Sequence, residues 1–313
     1  MATGPDPSEP SSEVLLRLAQ EWWTTSIIDV RPGSIAIRGY AIEDLIGRVS
    51  FSEMVWLMLR AELPTRAQAD LLEAALVAAV DHGPSAPSIA ASRMAVTCGL
   101  PLNGAMASAI NMLDDVHGGA GQQCMELYAE IDEAATREGA GPGDVEALAR
   151  VTSAVVDSWR ERGVRYLPGF GHRFHPEDPR APRLLALVDE AAATGVVSGR
   201  YAVIGRSVTA VLGRGRSAPI PMNVDGVTAV IYSELGFAPE LGRGLFVLSR
   251  SVGILAHAWE QRQQGGRIKG PMPREIPYRY VGPARRGLEV DQGQRPGSRG
   301  GAVSGPEIGG GQK

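Results

Sequence analysis

From residue 51 to residue 263, apolar side chains return every three or four positions, the spacing that gives an α-helix one buried face. The periodic stretches are 51–62, 66–80, 103–116, 125–139, 145–162, 181–195, 198–213, 224–235 and 239–263, and Leu63-Pro64 closes the first. Upstream, Ser11 or Ser12 caps a helix that runs to Trp22, with Glu13 favourably placed in its first turn. Only SIIDVRPGSIAIRGY, residues 26–40, places β-branched residues on both sides of a turn, Arg31-Pro32-Gly33, and so predicts a short hairpin. The expected fold class is all-α, with ten or more helices, one short N-terminal β-hairpin and almost no other sheet.

The chain has 313 residues, 44% of them hydrophobic, which is enough for a sizeable core. Its glycines and prolines concentrate in the tails, so residues 1–12 and 284–313 are expected to be disordered. A formal charge of −4 without a basic stripe argues against a general nucleic-acid binder. No apolar run approaches the length of about 20 residues that spans a bilayer. The acidic, Pro-rich start does not read as a signal peptide, and a cytoplasmic protein is expected. Cys98 and Cys124 form no Cys-x-x-Cys pair and read as buried free thiols.

Of five histidines, His82, His117 and His172 stand in Gly- or Pro-rich turns. Each alone reads equally as an exposed or structurally bonded residue, whereas the three together point to a site. Asp225, followed by Gly226 at a helix start, reads either as an N-cap or as a functional acid. Arginines are spread at 173, 180 and 250, and Arg250 lies in the apolar run LFVLSRSVGILAHAW, where a charge needs a partner. His172, His175 and Asp178 are spaced as a loop, without a His-Glu-x-x-His or Cys-rich partner, so no metal is expected. Gly-x-Ser-x-Gly, Gly-x-Gly-x-x-Gly and P-loop motifs are absent.

Histidines, one aspartate and arginines suit proton transfer on a polycarboxylate. One chemistry that uses this set is enolisation of a thioester followed by attack on a ketone. A carboxylate of pKa near 4 can remove a carbon-bound proton only if a donor stabilises the developing oxyanion. A neutral histidine supplies that donor, a second protonates the ketone, and arginines clamp the carboxylates.

At these residues the sequence resembles the citrate synthase family. The matching segments, in order, are IAIRGYAIEDL (35–45), SFSEMVWLMLRAELP (50–64), DHGPSAPS (81–88), DDVHGGAGQ (114–122), PGFGHRFHPEDPRAP (168–182), MNVDG (222–226) and LFVLSRSVGILAH (245–257). Within the family, DHGP, MNVDGVTAVIYSELG and FVLSRSVG look closest to citryl-CoA lyases and to the lyase module of ATP-citrate lyase.

The resemblance implies a large helical domain from 13–117 and 227–283, a small helical domain over 118–226, a cleft between them and a homodimer or larger homo-oligomer. It implies coenzyme A as the acyl-CoA substrate and an oxo acid or citrate as the other ligand, while the residues themselves, as above, point to no metal, nucleic acid or membrane. Carried over, His117 resembles the histidine that stabilises the enol, Asp225 the base at the acetyl methyl group, and His172 the group bonded to the ketone or hydroxyl oxygen. His82, Arg180 and Arg250 resemble the carboxylate ligands. The backbone of Leu167, Pro168, Gly169, Phe170 and Gly171 resembles the loop that cradles coenzyme A, and His257 matches a position that reads as structural.

The chain departs from the synthases at Gly270-Pro271, where they carry Arg before Pro. One carboxylate clamp is then lost or taken over by Arg267, Lys269 or Arg274, and another oxo acid becomes an alternative to oxaloacetate. The expected activity is citryl-CoA lyase, with citrate synthase as the alternative. A non-catalytic subunit that binds a CoA ester or citrate is the reading from another class.

Overall fold

Twelve helices and three strands make up the regular structure of the described residues, which in this computed structural model are 11–140, 143–171, 177–218, 220–273 and 275–287. Helix α1 (Ser12–Trp22) is followed by strands β1 (Ile28–Arg31), β2 (Ser34–Ile37) and β3 (Tyr40–Ala41). Then come α2 (Ile42–Leu45), α3 (Phe51–Arg60), α4 (Arg66–Ala79), α5 (Pro87–Thr97), α6 (Leu102–Ile110), α7 (Ala120–Arg137), α8 (Val145–Glu161), α9 (Arg180–Ala193), α10 (Arg200–Gly213), α11 (Val224–Glu234) and α12 (Pro239–Gln264). The all-helical class is as expected, and the hairpin gains a third antiparallel strand, with Ala36 opposite Ala41.

The caps are written in the sequence. Ser50 with Glu53, and Thr65 with Gln68, close reciprocal capping boxes at the starts of α3 and α4. Ser11 accepts the amide of Val14 at the start of α1. Helix α1 buries none of its residues, and Leu15, Leu16, Leu18 and Trp22 are all exposed.

Helix α11 is the opposite case. Every residue from Gly226 to Tyr232 is buried, as expected of a helix that is apolar on all sides. Around it a large apolar cluster joins α4, α7, α8, α9 and α10. A second cluster joins Ala79, Ala86, Ile89, Ala109, Leu113, Phe246 and Ile254. Helix α4 contributes Ala75 to the first and Ala79 to the second, and α12 contributes Leu245 to the first and Phe246 to the second. The C-terminal end of α4 and α12 around Leu245 and Phe246 therefore lie on the seam between the clusters.

Three expectations are corrected. The helix expected over 103–116 ends at Ile110, which leaves residues 111–119 as a turn. Helix α5 was not foreseen. Cys98 is exposed, and only Cys124 is buried. Contacts divide the chain after Pro271; of the second unit, the described residues are exposed, and the Ile276 amide donates to the Pro273 carbonyl. Among the described residues no helix is long and apolar enough to cross a membrane. The expected C-terminal tail from 288 on, and residues 1–10 of the N-terminal one, lie outside the described residues.

Candidate active site

One face of α12 carries Arg243, Phe246, Arg250, Gly253 and His257, separated by three, four, three and four residues. This stripe meets two turns. The first follows α4. There Ser249 Oγ hydrogen-bonds the carbonyl of Leu76, and Arg250 Nε donates to the carbonyl of Ala79 at 3.0 Å. Gly253 passes so close beneath Val80 that any side chain would strike its carbonyl.

Asp81 in this turn accepts the Gly83 amide at 3.2 Å and lies 3.3 Å from Nε2 of His257. Arg93 can only donate, and its Nη1 is 3.2 Å from Nδ1 of His257, so the proton of a neutral His257 sits on Nε2 and points at Asp81. His257, expected to be structural, thus fixes the turn whose exposed tip is His82.

The second turn precedes α7 and carries His117. The Ser88 amide at the start of α5 donates to His117 Nε2 at 3.3 Å, with Ser88 Oγ 3.0 Å from the same nitrogen. An imidazole that accepts at Nε2 carries its neutral-state proton on Nδ1. Burial and, next, the charge of Arg250 hold the His117 pKa below the ordinary histidine value. At neutral pH the ring is therefore an uncharged Nδ1–H donor.

Asp225 occupies the first turn of α11. The capping role goes to Asn223, whose Oδ1 accepts the amides of Asp225 and Gly226, which leaves the Asp225 carboxylate out of the cap. Burial raises its pKa above the ordinary aspartate value, Arg250 and Arg180 oppose that rise, and Asp178 adds to it. A carboxyl held up in this way keeps its proton more readily than a solvated aspartate, which suits an acid or base.

Arg180, the first residue of α9, is gripped by Asp178: Nε reaches Oδ1 at 2.9 Å and Nη2 reaches Oδ2 at 2.8 Å. Its Nη1 donates to Ala78 at the end of α4 at 3.2 Å. Asp178 is fully buried and also accepts the Val224 amide at 3.0 Å, so the Asp178–Arg180 pair ties α4, α9 and α11 together. Arg250 is 4% exposed, stands over the Phe246 ring at 4.7 Å, and acts electrostatically on both His117 and Asp225.

Leu167 to Gly171 run alongside residues 221–223. The Gly171 amide donates to Pro221 at 2.7 Å, the Asn223 amide to Gly169 at 3.0 Å, and Asn223 Nδ2 to Gly171 at 2.8 Å. Gly169, at φ +81°, approaches Cys124 and Gly226 so closely that a side chain would clash with both. This pairing seats the loop against the start of α11. The loop lines a cavity of about 880 Å³ through Leu167, Phe170 and Gly171, with Tyr166, Leu212 and Ile220 and with Arg160, Arg165 and Arg216. Three guanidinium groups around such a volume suit a large anionic ligand.

The fold thus brings His117, Arg180, Arg250 and Asp225 into one electrostatic neighbourhood, with His82 on the adjoining turn and Leu167, Pro168, Gly169, Phe170 and Gly171 beside it. His172 lies outside the described residues, as do Arg173, His175 and Arg274. Arg267 and Lys269 are exposed, and the Lys269 amide is bonded to Thr97. Sequence reasoning missed the roles of Ser88, Asp81, Asp178, Arg243 and the cavity arginines, all of which depend on pairings across the fold.

The sequence matches the family described as citrate synthase, C-terminal domain, over residues 17–71 and 65–272. It is 31% identical over 214 residues to citrate synthase of Haloferax volcanii, which covers 68% of this chain and 52% of that protein. The chain spans about half the length of the first curated relatives it matches, from 52% to 57%.

Among solved structures, citryl-CoA lyase from Hydrogenobacter thermophilus superposes with a TM-score of 0.71 at 30% identity, covering 85% of this chain and 97% of that one. Citrate synthase from Thermoplasma acidophilum, in a ternary complex with carboxymethyl coenzyme A and oxaloacetate, gives 0.58 at 26% identity and covers 76% and 58%.

Proposed function

Because this chain belongs to the citrate synthase family of enzymes that form or cleave a carbon–carbon bond of an acyl-CoA, we propose that it acts as a citryl-CoA lyase, releasing acetyl-CoA and oxaloacetate in the cytoplasm. The observation that carries the reading is His117, neutral and held at Nε2 by Ser88, sharing the field of Arg250 with an aspartate of raised pKa.

In the cleavage direction His172 takes the hydroxyl proton of citryl-CoA and the carbon–carbon bond breaks. Its electron pair passes into the enolate of the thioester, whose oxygen is stabilised by the Nδ1–H of His117. Protonated Asp225 then delivers a proton to the terminal carbon, giving the acetyl group. Arg250, with two terminal nitrogens beyond its bond to Ala79, and Arg180, with the N–H groups not engaged by Asp178 and Ala78, bind the carboxylates together with His82. The loop Leu167–Gly171 and its cavity take the coenzyme A portion, with Arg160, Arg165 and Arg216 facing its phosphates.

Leu167 to Gly171 and Asp225 then belong to a small domain over 118–226, set against a large domain built from 13–117 and 227–283. We also propose a homodimer. Phe51, Val252 and Trp259 on α3 and α12 are 72%, 58% and 48% exposed, and an apolar cavity of about 390 Å³ lies between these helices. Light scattering that returns a monomer at micromolar concentration excludes it.

Incubating the protein with citryl-CoA, and separately with acetyl-CoA and oxaloacetate, while following oxaloacetate and free thiol tests the activity. Oxaloacetate from the first mixture without thiol supports the lyase; thiol from the second identifies a synthase. A second reading, cleavage or condensation with another oxo acid, is favoured by Gly270 in place of an arginine clamp. Turnover with other oxo acids and none with oxaloacetate establishes that one.

A further inference from the structure

Arg243 is the charged residue of the α12 stripe that the proposed chemistry does not use. Its Nη1 donates to Asp114 Oδ1 at 2.7 Å and its Nη2 pairs with Asp115. Those two carboxylates are 80% and 71% exposed, while the arginine side chain retains 24%. Ion pairs with such exposed partners contribute little to stability, so stability does not account for a guanidinium bridging two of them.

Geometry does. Asp114 and Asp115 open the turn that carries His117. The Asp114 amide donates to the His117 carbonyl at 2.9 Å, and Asp114 pairs with Gly118 as an isolated bridge. Gln123 Nε2 donates to the Asp115 carbonyl at 3.3 Å, and a side chain on Gly119 would fall 2.8 Å from Asp115 Cα.

On its other side the turn rests on α12. Gly118, at φ +105°, packs so that an added Cβ would lie 3.2 Å from Phe246, which is three residues along the stripe from Arg243. The turn is thus fixed to α12 at two points, by Phe246 beneath Gly118 and by Arg243 across both aspartates. Ser88 holds His117 Nε2 from α5, so the direction of Nδ1–H depends on where this turn sits between α5 and α12.

Building on the enol-stabilising role proposed for His117, we propose that Arg243 is a positioning residue that aims the His117 imidazole by clamping Asp114 and Asp115 to α12. A misplacement of about 1 Å at a reacting group costs up to about 100-fold in rate. In R243Q, kcat for citryl-CoA cleavage is expected to fall about 10- to 100-fold with KM within about twofold, and the melting temperature to stay within about 4 °C. The D114N/D115N pair reproduces the loss, and adding R243Q to it costs nothing further, because one clamp is being removed. Lysine at 243 keeps the charge but not the spread, planar fork that reaches both carboxylates, and restores part of the rate.

Nitrogen NMR of histidine-labelled protein supplies a readout that needs no turnover. In the unaltered chain His117 is a fixed Nδ1–H tautomer, and in R243Q it averages between tautomers. If the unaltered protein turns over neither citryl-CoA nor acetyl-CoA with oxaloacetate, the functional reading falls and the NMR result alone decides the role of Arg243. An unchanged His117 tautomer with unchanged kcat overturns the proposal. So does a loss of melting temperature beyond about 10 °C, which marks Arg243 as a stability element, since about 4 °C is what an exposed pair can contribute.

Discussion

The turn before α9 and the first turn of α11 each present an aspartate to Arg180, and the two acids end up opposite. Burial pushes both carboxyls up. At Asp178 the hydrogen bonds and charge of Arg180 and the amide of Val224 outweigh it and leave the pKa below the ordinary value. At Asp225 the charges of Arg250 and Arg180 act without a hydrogen bond to the carboxylate among the described residues, and the pKa stays raised. The difference teaches that direct hydrogen bonds, more than nearby charge, decide which acid is structural and which is free to exchange a proton.

The largest expected effect is at Asp225. The D225N protein should fold, with a melting temperature equal to or above that of the unaltered chain, because a desolvated carboxylate has been replaced by a neutral group. Its turnover of citryl-CoA should fall by about 10²- to 10⁴-fold, the range for loss of a general acid or base. Near-normal turnover in this variant would erase the functional half of the comparison.

At Asp178 the cost should appear in stability instead. In D178N the partly buried Arg180 loses its counter-charge, at about 3 kcal/mol in denaturant titrations at neutral pH, the lower end of the range for breaking a buried pair. The pH dependence has a definite sign. Asp178 has a folded pKa below its unfolded value of about 3.9, so its stabilisation is complete above that pH and is lost as the pH falls through the folded pKa. Asp225 contributes oppositely, stabilising at low pH and losing that contribution as the pH rises through its raised pKa. D178N should flatten the acid limb of the stability curve. If it cost turnover as D225N does while leaving stability intact, the two acids would not differ in role.

Much of this pairing was legible before the fold was known, but only one side of it. His117, Asp225, Arg180 and Arg250 stand in motifs or in apolar runs where their chemistry is out of place. Asp178 was read only as a neighbour of His172 and His175, because its amide partner Val224 lies 46 residues away and its bond to that helix start exists only in the folded chain. Ser88 meets His117 across 29 residues, and Arg243 meets Asp114 across 129.

The helices show the same division. Strongly amphipathic α8 was found to within a residue at each end. Helix α5, SIAASRMAV after Pro87, has little contrast between its faces and was missed. The helix expected over 103–116 stops at Ile110, although Met112 and Leu113 keep the apolar rhythm where the backbone has already left the helix.

A smaller effect is expected where charge is solvated rather than bonded. Arg165 and Arg216, both exposed on the rim of the large cavity, should raise KM for the CoA ester only a few-fold when both are changed to Gln, with kcat unchanged. The salt dependence of KM should weaken in the double variant, because screened attraction is what these groups provide. A drop in kcat would place them in contact with reacting groups and blur the line between the binding cavity and the acid at the start of α11.

The smallest effect is expected two turns beyond Asp225, at Tyr232. Its side chain is 1% exposed, and its hydroxyl has no hydrogen-bond partner among the described residues. Burial and, next, the Asp225 charge push its pKa up. The ring packs edge-on against Phe237 at 6.4 Å, a contact that phenylalanine keeps. Removing an unsatisfied buried hydroxyl should leave stability unchanged or raise it by up to about 1 kcal/mol. Because cleavage needs Asp225 protonated and a hydrogen bond to it is what would lower its pKa, Y232F should also leave the alkaline limb of the citryl-CoA turnover profile where it is. A shift of that limb to higher pH would mean that the hydroxyl reaches Asp225 and shares in setting its proton affinity, and the contrast with Asp178 would narrow to a difference in the number of hydrogen bonds.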